Sequence, residues 1–171
     1  MSKRLQIVLL VSVFVVATCG LIYELVAGTL ASYLLGDSVT QFSTIIGAYL
    51  FSMGIGSYFS KFFTRDLIRW FIRIEILVGL IGGFSSVILF MLFEQVSHFR
   101  IILYLLVALT GILVGLEIPL LMRILKDRLE FSELVSKIFT FDYIGALLAS
   151  VIFPLVLIPI SASCGRHCFS D

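Results

Sequence analysis

Long apolar runs separated by short polar connectors make up almost the whole chain. A helix of about 20 apolar residues crosses the hydrocarbon core of a bilayer. Runs near or beyond that length fall at about 5–35, 42–60, 67–93, 101–122 and 138–160. None alternates with period two, so a membrane barrel is not expected. The pattern predicts an all-α polytopic membrane helix bundle of about five transmembrane helices. Residues 1–160 would form that helical domain, and 161–171 a polar, disordered tail. The first run exceeds one crossing, so it should tilt, bend near Gly20 or Gly28, or protrude into the headgroups.

Composition agrees with that reading. The 171 residues are 60% hydrophobic and 13% charged, against about 45–50% and about 25% in soluble domains. A net charge of +1 gives no reason to expect a nucleic-acid partner. Lys3 and Arg4 before an apolar run resemble the start of a signal peptide, but the run continues far beyond a signal core. Val15-Val16-Ala17-Thr18-Cys19 loosely resembles a lipoprotein cleavage box, with Thr18 a poor residue before the cysteine. A retained first span is expected.

The basic residues set an orientation. Lys3 and Arg4 precede the first span. Lys61, Arg65, Arg69 and Arg73 surround the second connector, and Arg123, Lys126, Arg128 and Lys137 the fourth. That places ten of the twelve Lys and Arg residues on one side, leaving Arg100 and Arg166. The positive-inside rule puts the ten in the cytoplasm, with the N-terminus inside and the tail outside. The connector 123–137 carries a weak apolar stripe at Leu125, Leu129, Leu134 and Ile138. It reads equally as a short surface helix or a solvated loop.

Four runs each contain one carboxylate: Glu24, Glu75, Glu117 and Asp142. An acid in the middle of a span costs about 2.5–3.5 kcal/mol on insertion scales, so it faces protein or a water-filled space. Small residues mark the faces where membrane helices approach. Gly20, Glu24, Gly28 and Ser32 share one face at helical spacing, as do Glu75, Gly79, Gly83 and Ser86, and Asp142, Ala146, Ala149 and Phe153. Gly111-Ile112-Leu113-Val114-Gly115 is a GxxxG packing motif. Glu117 stands about 200° around the helix from Gly115, in line with Thr110, Leu113 and Val114. Pro119 removes a backbone bond to Gly115, giving either a kink or a polar pocket beside Glu117.

The candidate binding residues are therefore Glu24, Glu75, Glu117 and Asp142. The candidate packing residues are Gly20, Gly28, Gly79, Gly83, Gly111 and Gly115. Arg73 and Arg123 lie at a depth where ion pairs with Glu75, Glu117 or Asp142 are the alternative. Glu24 has no cation at its depth. It either lines a polar cavity or bonds Thr18, Tyr23, Tyr49 or Tyr58.

Familiar soluble machinery is absent from the sequence: there is no G-x-G-x-x-G, no Walker loop and no H-E-x-x-H. His98 and His167 lie in a connector and the tail, and Cys164 and Cys168 lack the second ligand pair of a zinc site. No catalytic residue, metal site or cofactor is expected in this chain.

Several motifs are distinctive together: Gly20-Leu21-Ile22-Tyr23-Glu24-Leu25-Val26-Ala27-Gly28, Gly36-Asp37-Ser38-Val39-Thr40-Gln41-Phe42-Ser43-Thr44, Met53-Gly54-Ile55-Gly56-Ser57, Gly115-Leu116-Glu117-Ile118-Pro119 and Phe141-Asp142-Tyr143-Ile144-Gly145-Ala146. They resemble the N-terminal membrane domain of bacterial membrane-bound spermidine synthases, over about residues 15–160. These are polyamine aminopropyltransferases joined to a multi-span domain similar to part of a major facilitator transporter. The resemblance implies further spans and a soluble synthase domain beyond Pro159-Ile160. Residues 161–171 look unrelated to that continuation, so the chain is expected to be truncated before the catalytic domain.

The resulting expectation is an inner-membrane domain that anchors a synthase or binds polyamine cations. A cation or proton-coupled transporter fragment and a purely structural anchor are the alternatives. Expected partners are the lipid bilayer, a polyamine or other cation, and either a second copy or the missing helices and synthase domain.

Overall fold

The computed structural model describes residues 3–91, 96–126 and 131–157. They form five α-helices: α1 (Lys3–Leu35), α2 (Ser38–Phe59), α3 (Leu67–Met91), α4 (Val96–Leu125) and α5 (Phe131–Ile152). There is no strand among the described residues. The 33 residues of α1 rise about 50 Å, well beyond a hydrocarbon core of about 30 Å. Four stretches are long and apolar enough to cross a membrane: Ile7–Tyr33, Ser38–Phe62, Phe99–Leu125 and Ser132–Leu155.

The helix ends follow local chemistry. Gly36 and Asp37 adopt left-handed φ values of 72° and 44°, which turns the chain sharply from α1 into α2. The Gln41 amide then donates to the Asp37 carbonyl at 3.1 Å. Asp66 opens α3 in the same left-handed region, accepting from the Trp70 amide at 3.1 Å. Its side chain receives Arg69 Nη2 at 2.7 Å. Near the other end of the chain, Pro154 lies in a π-helical turn, Phe153–Leu157, that follows α5. A proline withholds its amide from the regular ladder, which suits a widened turn.

The centre of the bundle is α4, packed along α2, α3 and α1. α1 in turn carries α5 on its other side. One core gathers Val13 of α1, Val78 of α3, Leu120 and Leu121 of α4 and Ile138 of α5. The other gathers Ala31, Ile45, Tyr49, Phe99 and Leu103. Large apolar side chains also stand outward, among them Val8, Phe51, Leu80, Leu105 and Leu147 on the five helices in turn. In water such a surface would aggregate; against acyl chains it is the ordinary lipid-facing exterior.

The connector 123–137 is neither a surface helix nor a loop where it is described. Its ends continue α4 and begin α5, and Leu125, Leu134 and Ile138 are 0% exposed. Leu129 lies outside the described residues. The stripe read from the sequence is core packing at the mouth of the bundle.

Glycines fix the close crossings. A Cβ at Gly20 would meet the Tyr49 hydroxyl at 3.0 Å, and one at Gly28 the Phe42 ring at 2.7 Å. On α4, a Cβ at Gly111 would lie 2.9 Å from the Tyr49 carbonyl oxygen. At Gly115 it would lie 2.6 Å from the Met53 Cα. The GxxxG motif is therefore occupied within the chain by α2. Gly79 and Gly83 differ: a Cβ there meets nothing within 4 Å. The close approach on α3 is one row around, at Gly82, where the Tyr23 ring takes the Cβ space. Gly56 and Gly145 make further close approaches, against the backbones of Ile112 and Phe14.

Candidate functional site

The four carboxylates lie on α1, α3, α4 and α5, and their surroundings separate them into an outer and an inner group. Glu24 is 9% exposed, on the α1 face that also holds Gly20 and Gly28. It lines a small, partly open cavity of about 20 Å³ with Tyr23, Tyr49, Ser85 and Thr110. A water molecule needs about 10–15 Å³ measured this way, so the space holds about one. Of the partners named from the sequence, Tyr23 and Tyr49 share the cavity. Thr18 instead donates to the carbonyls of Phe14 at 2.7 Å and Gly145 at 3.2 Å. Tyr58 is exposed beneath Lys61, whose Nζ is 3.5 Å from the ring centroid.

Glu117 is 4% exposed, because α4 is surrounded by neighbours on nearly every side. It lies within electrostatic reach of Glu75 and Asp142. One oxygen of Glu117 and one of Glu75 are buried without a hydrogen-bond partner. The Ser12 hydroxyl of α1 stands beside the Glu75 carboxyl. Tyr49 of α2 lies within electrostatic reach of Glu24, Glu117 and Asp142, and so stands between the two groups. Each of the five helices thus contributes at least one polar side chain to this region: Glu24, Tyr49, Glu75, Glu117 and Asp142. Tyr49 is the member that sequence reasoning treated only as a bonding partner for Glu24. Its signal is a tyrosine hydroxyl on the face of α2 that carries Ile45 and Ser52.

The ion pairs expected for the inner acids do not form among the described residues. The pairs found there are Arg69–Asp66 at 2.7 Å and Lys137–Glu133 at 2.6 Å, both exposed. Arg123 turns its guanidinium to the end of α2, donating from Nη1 to the carbonyls of Ser60 at 2.8 Å and Phe63 at 3.3 Å. Arg73 is exposed and lies 5.3 Å from the Trp70 ring centroid. Backbone carbonyls at the end of a helix compete well for a guanidinium, since they lack a full set of helical donors.

Nor does Pro119 open a pocket at Glu117. The helix continues through it. The cleft at Pro119 measures about 300 Å³, lies on the other side of α4 and is lined by Met53, Gly54, Ser57, Gly115, Ile118 and Phe139.

Span-length apolar helices, an apolar exterior and an interior of carboxylates define an integral membrane helix bundle. The sequence relationships narrow this further. The chain is 59% identical over 155 residues to a polyamine aminopropyltransferase of Leptospira interrogans. It is 59% identical over 160 residues to polyamine aminopropyltransferase 2 of Ralstonia nicotianae, and 38% identical over 160 residues to polyamine aminopropyltransferase 1 of Streptomyces coelicolor. These matches cover 91–92% of this chain but only 30–31% of each relative. The chain therefore corresponds to the N-terminal, membrane-like part of polyamine aminopropyltransferases. No family model matches the chain, and no solved structure matches it.

Proposed function

We propose that this domain anchors an aminopropyltransferase of polyamine biosynthesis in the bacterial inner membrane. The observation that carries this is the match of nearly the whole chain to about a third of relatives so named, joined with four span-length apolar helices in that third. In this reading α3 also crosses, its 25 residues rising about 37 Å. The N-terminus is cytoplasmic, as the basic connectors favour. Fractionation of cells expressing the full-length protein tests the anchor. Synthase activity should sediment with inner membranes and become soluble when residues 1–160 and any spans that follow them are deleted together. Soluble activity in the intact protein would refute it.

A second reading has a specific observation behind it. Glu75, Glu117 and Asp142 have no cation paired with them among the described residues, and polyamines are multiply cationic. The inner acids would then attract a polyamine from the cytoplasmic side. The cavity at Glu24 is too small for one. Spermidine binding to the purified protein should therefore weaken in Glu117→Gln and Asp142→Asn but persist in Glu24→Gln.

A further inference from the structure

We propose that the small cavity beside Glu24 binds one small monovalent cation, and that sodium is its occupant. The inference stands on the cavity itself and does not depend on what the anchor carries.

Oxygen atoms supply the polar lining. Besides Glu24, the lining residues include Tyr23, Tyr49, Ser85 and Thr110, each of which carries a hydroxyl; that of Tyr23 bonds the Cys19 side chain. Ser85 donates its proton to the Gly82 carbonyl at 2.6 Å. Thr110 donates its own to the Leu106 carbonyl. A hydroxyl has one proton and two lone pairs. With both protons engaged on backbone carbonyls, these two groups offer lone pairs alone. The Tyr49 hydroxyl makes no hydrogen bond among the described residues and lies within electrostatic reach of Glu24. Lone pairs thus outnumber protons in the cavity, and an anion has no place there.

Charge then separates the remaining occupants. A carboxylate buried in a low-dielectric interior needs an opposite charge or a proton. Among the described residues no ion pair supplies one to Glu24. Water would satisfy the lone pairs and leave the charge. A divalent ion would exceed the single carboxylate and leave the opposite charge. A polyamine cannot enter about 20 Å³. A dehydrated sodium ion, smaller than a water molecule, meets both the charge and the volume. Intramembrane carboxylates commonly mark ion sites for this reason.

The wall is shared by four helices: Glu24 on α1, Tyr49 on α2, Ser85 on α3 and Thr110 on α4. An ion held by them ties these helices together, so binding should raise thermal stability by linkage. The test uses the full-length protein in detergent, with thermal unfolding followed in sodium, potassium and choline chloride at equal ionic strength. A saturable rise in the midpoint with sodium, absent with choline and much weaker with potassium, is the expected result. Thr110→Val keeps the shape and removes the lone pairs; it should raise the half-effective sodium concentration by about tenfold or more. Ser85→Ala should act in the same direction, and Glu24→Gln should abolish the sodium response. If Glu24→Gln does not fold, the Thr110 and Ser85 variants decide. No response to sodium in the wild type means water or a proton occupies the site and overturns the proposal. So does an equal response to all three salts, or a wild-type response in folded Thr110→Val.

Discussion

Gly115 of α4 rests on the backbone of Met53 in α2 so closely that a Cβ on it would stand 2.6 Å from the Met53 Cα. Backbone atoms cannot swing aside as a side-chain tip can, so any larger residue must separate α4 from α2. Overpacking of this kind costs about 1–3 kcal/mol. Gly115→Ala should lower the free energy of unfolding by that amount, and so lower the denaturant midpoint, and Gly115→Leu should lower both by more. Gly79→Ala and Gly83→Ala, where the Cβ enters open space, should leave the midpoint unchanged or raise it. Equal losses at Gly79 and Gly115 would show that α3 packs through a different row.

That contrast also shows what could be read in the sequence. Apolar runs and the Gly36-Asp37 break gave the helical class, because run length and turn chemistry are local. The Gly20–Glu24–Gly28 face lies inside because a carboxylate on it cannot face lipid. On α3 the spacing points to the row through Gly79 and Gly83, whereas the close approach is at Gly82. With lipid on one side and an apolar core on the other, hydrophobicity does not distinguish neighbouring rows. Nor could spacing foresee that Arg123 would serve the end of α2, or that Glu117 would meet Glu75 and Asp142. Those are relations among helices distant in the chain, and they follow from the central place of α4.

Arg123 provides a second prediction. Its guanidinium serves the Ser60 and Phe63 carbonyls; Ser60 also accepts from the Phe63 amide, so losing Arg123 leaves the part-buried Phe63 carbonyl without a donor, at about 1–3 kcal/mol. Arg123→Met should destabilise the protein within that range. A double-mutant cycle with Glu117→Gln should give a coupling energy near zero, since no ion pair joins the two residues. A coupling well above about 0.5 kcal/mol would restore the ion-pair explanation of the inner acids.

Topology makes the third prediction. In the proposed five-crossing arrangement, the ten-to-two division of basic residues and the odd number of crossings both put the two ends of the chain on opposite sides. A membrane-impermeant maleimide applied from outside should label Cys164 and Cys168. It should fail to label Arg65→Cys in a variant whose other cysteines are replaced by serine. Labelling at position 65 with protection of the tail would invert the orientation.

Glu117 supplies the last. It is 4% exposed, has one carboxyl oxygen without a partner and stands within electrostatic reach of two further acids. A carboxylate so placed is not retained for stability, because an unpartnered buried polar atom costs about 1–3 kcal/mol. An amide of the same shape brings protons of its own, which Glu75 and Asp142 can accept. Glu117→Gln should therefore unfold at the same denaturant concentration as the wild type or a higher one. Glu117→Ala removes the side chain and leaves a cavity beside Leu120 and Leu121, so it should lose about 2–5 kcal/mol, as truncation of a buried aliphatic chain does. The ordering Gln at or above wild type, with Ala well below, identifies a carboxylate kept for what it binds. A marked loss in Glu117→Gln would instead identify a structural role for the ionised group, and the inner acids would then belong to the scaffold.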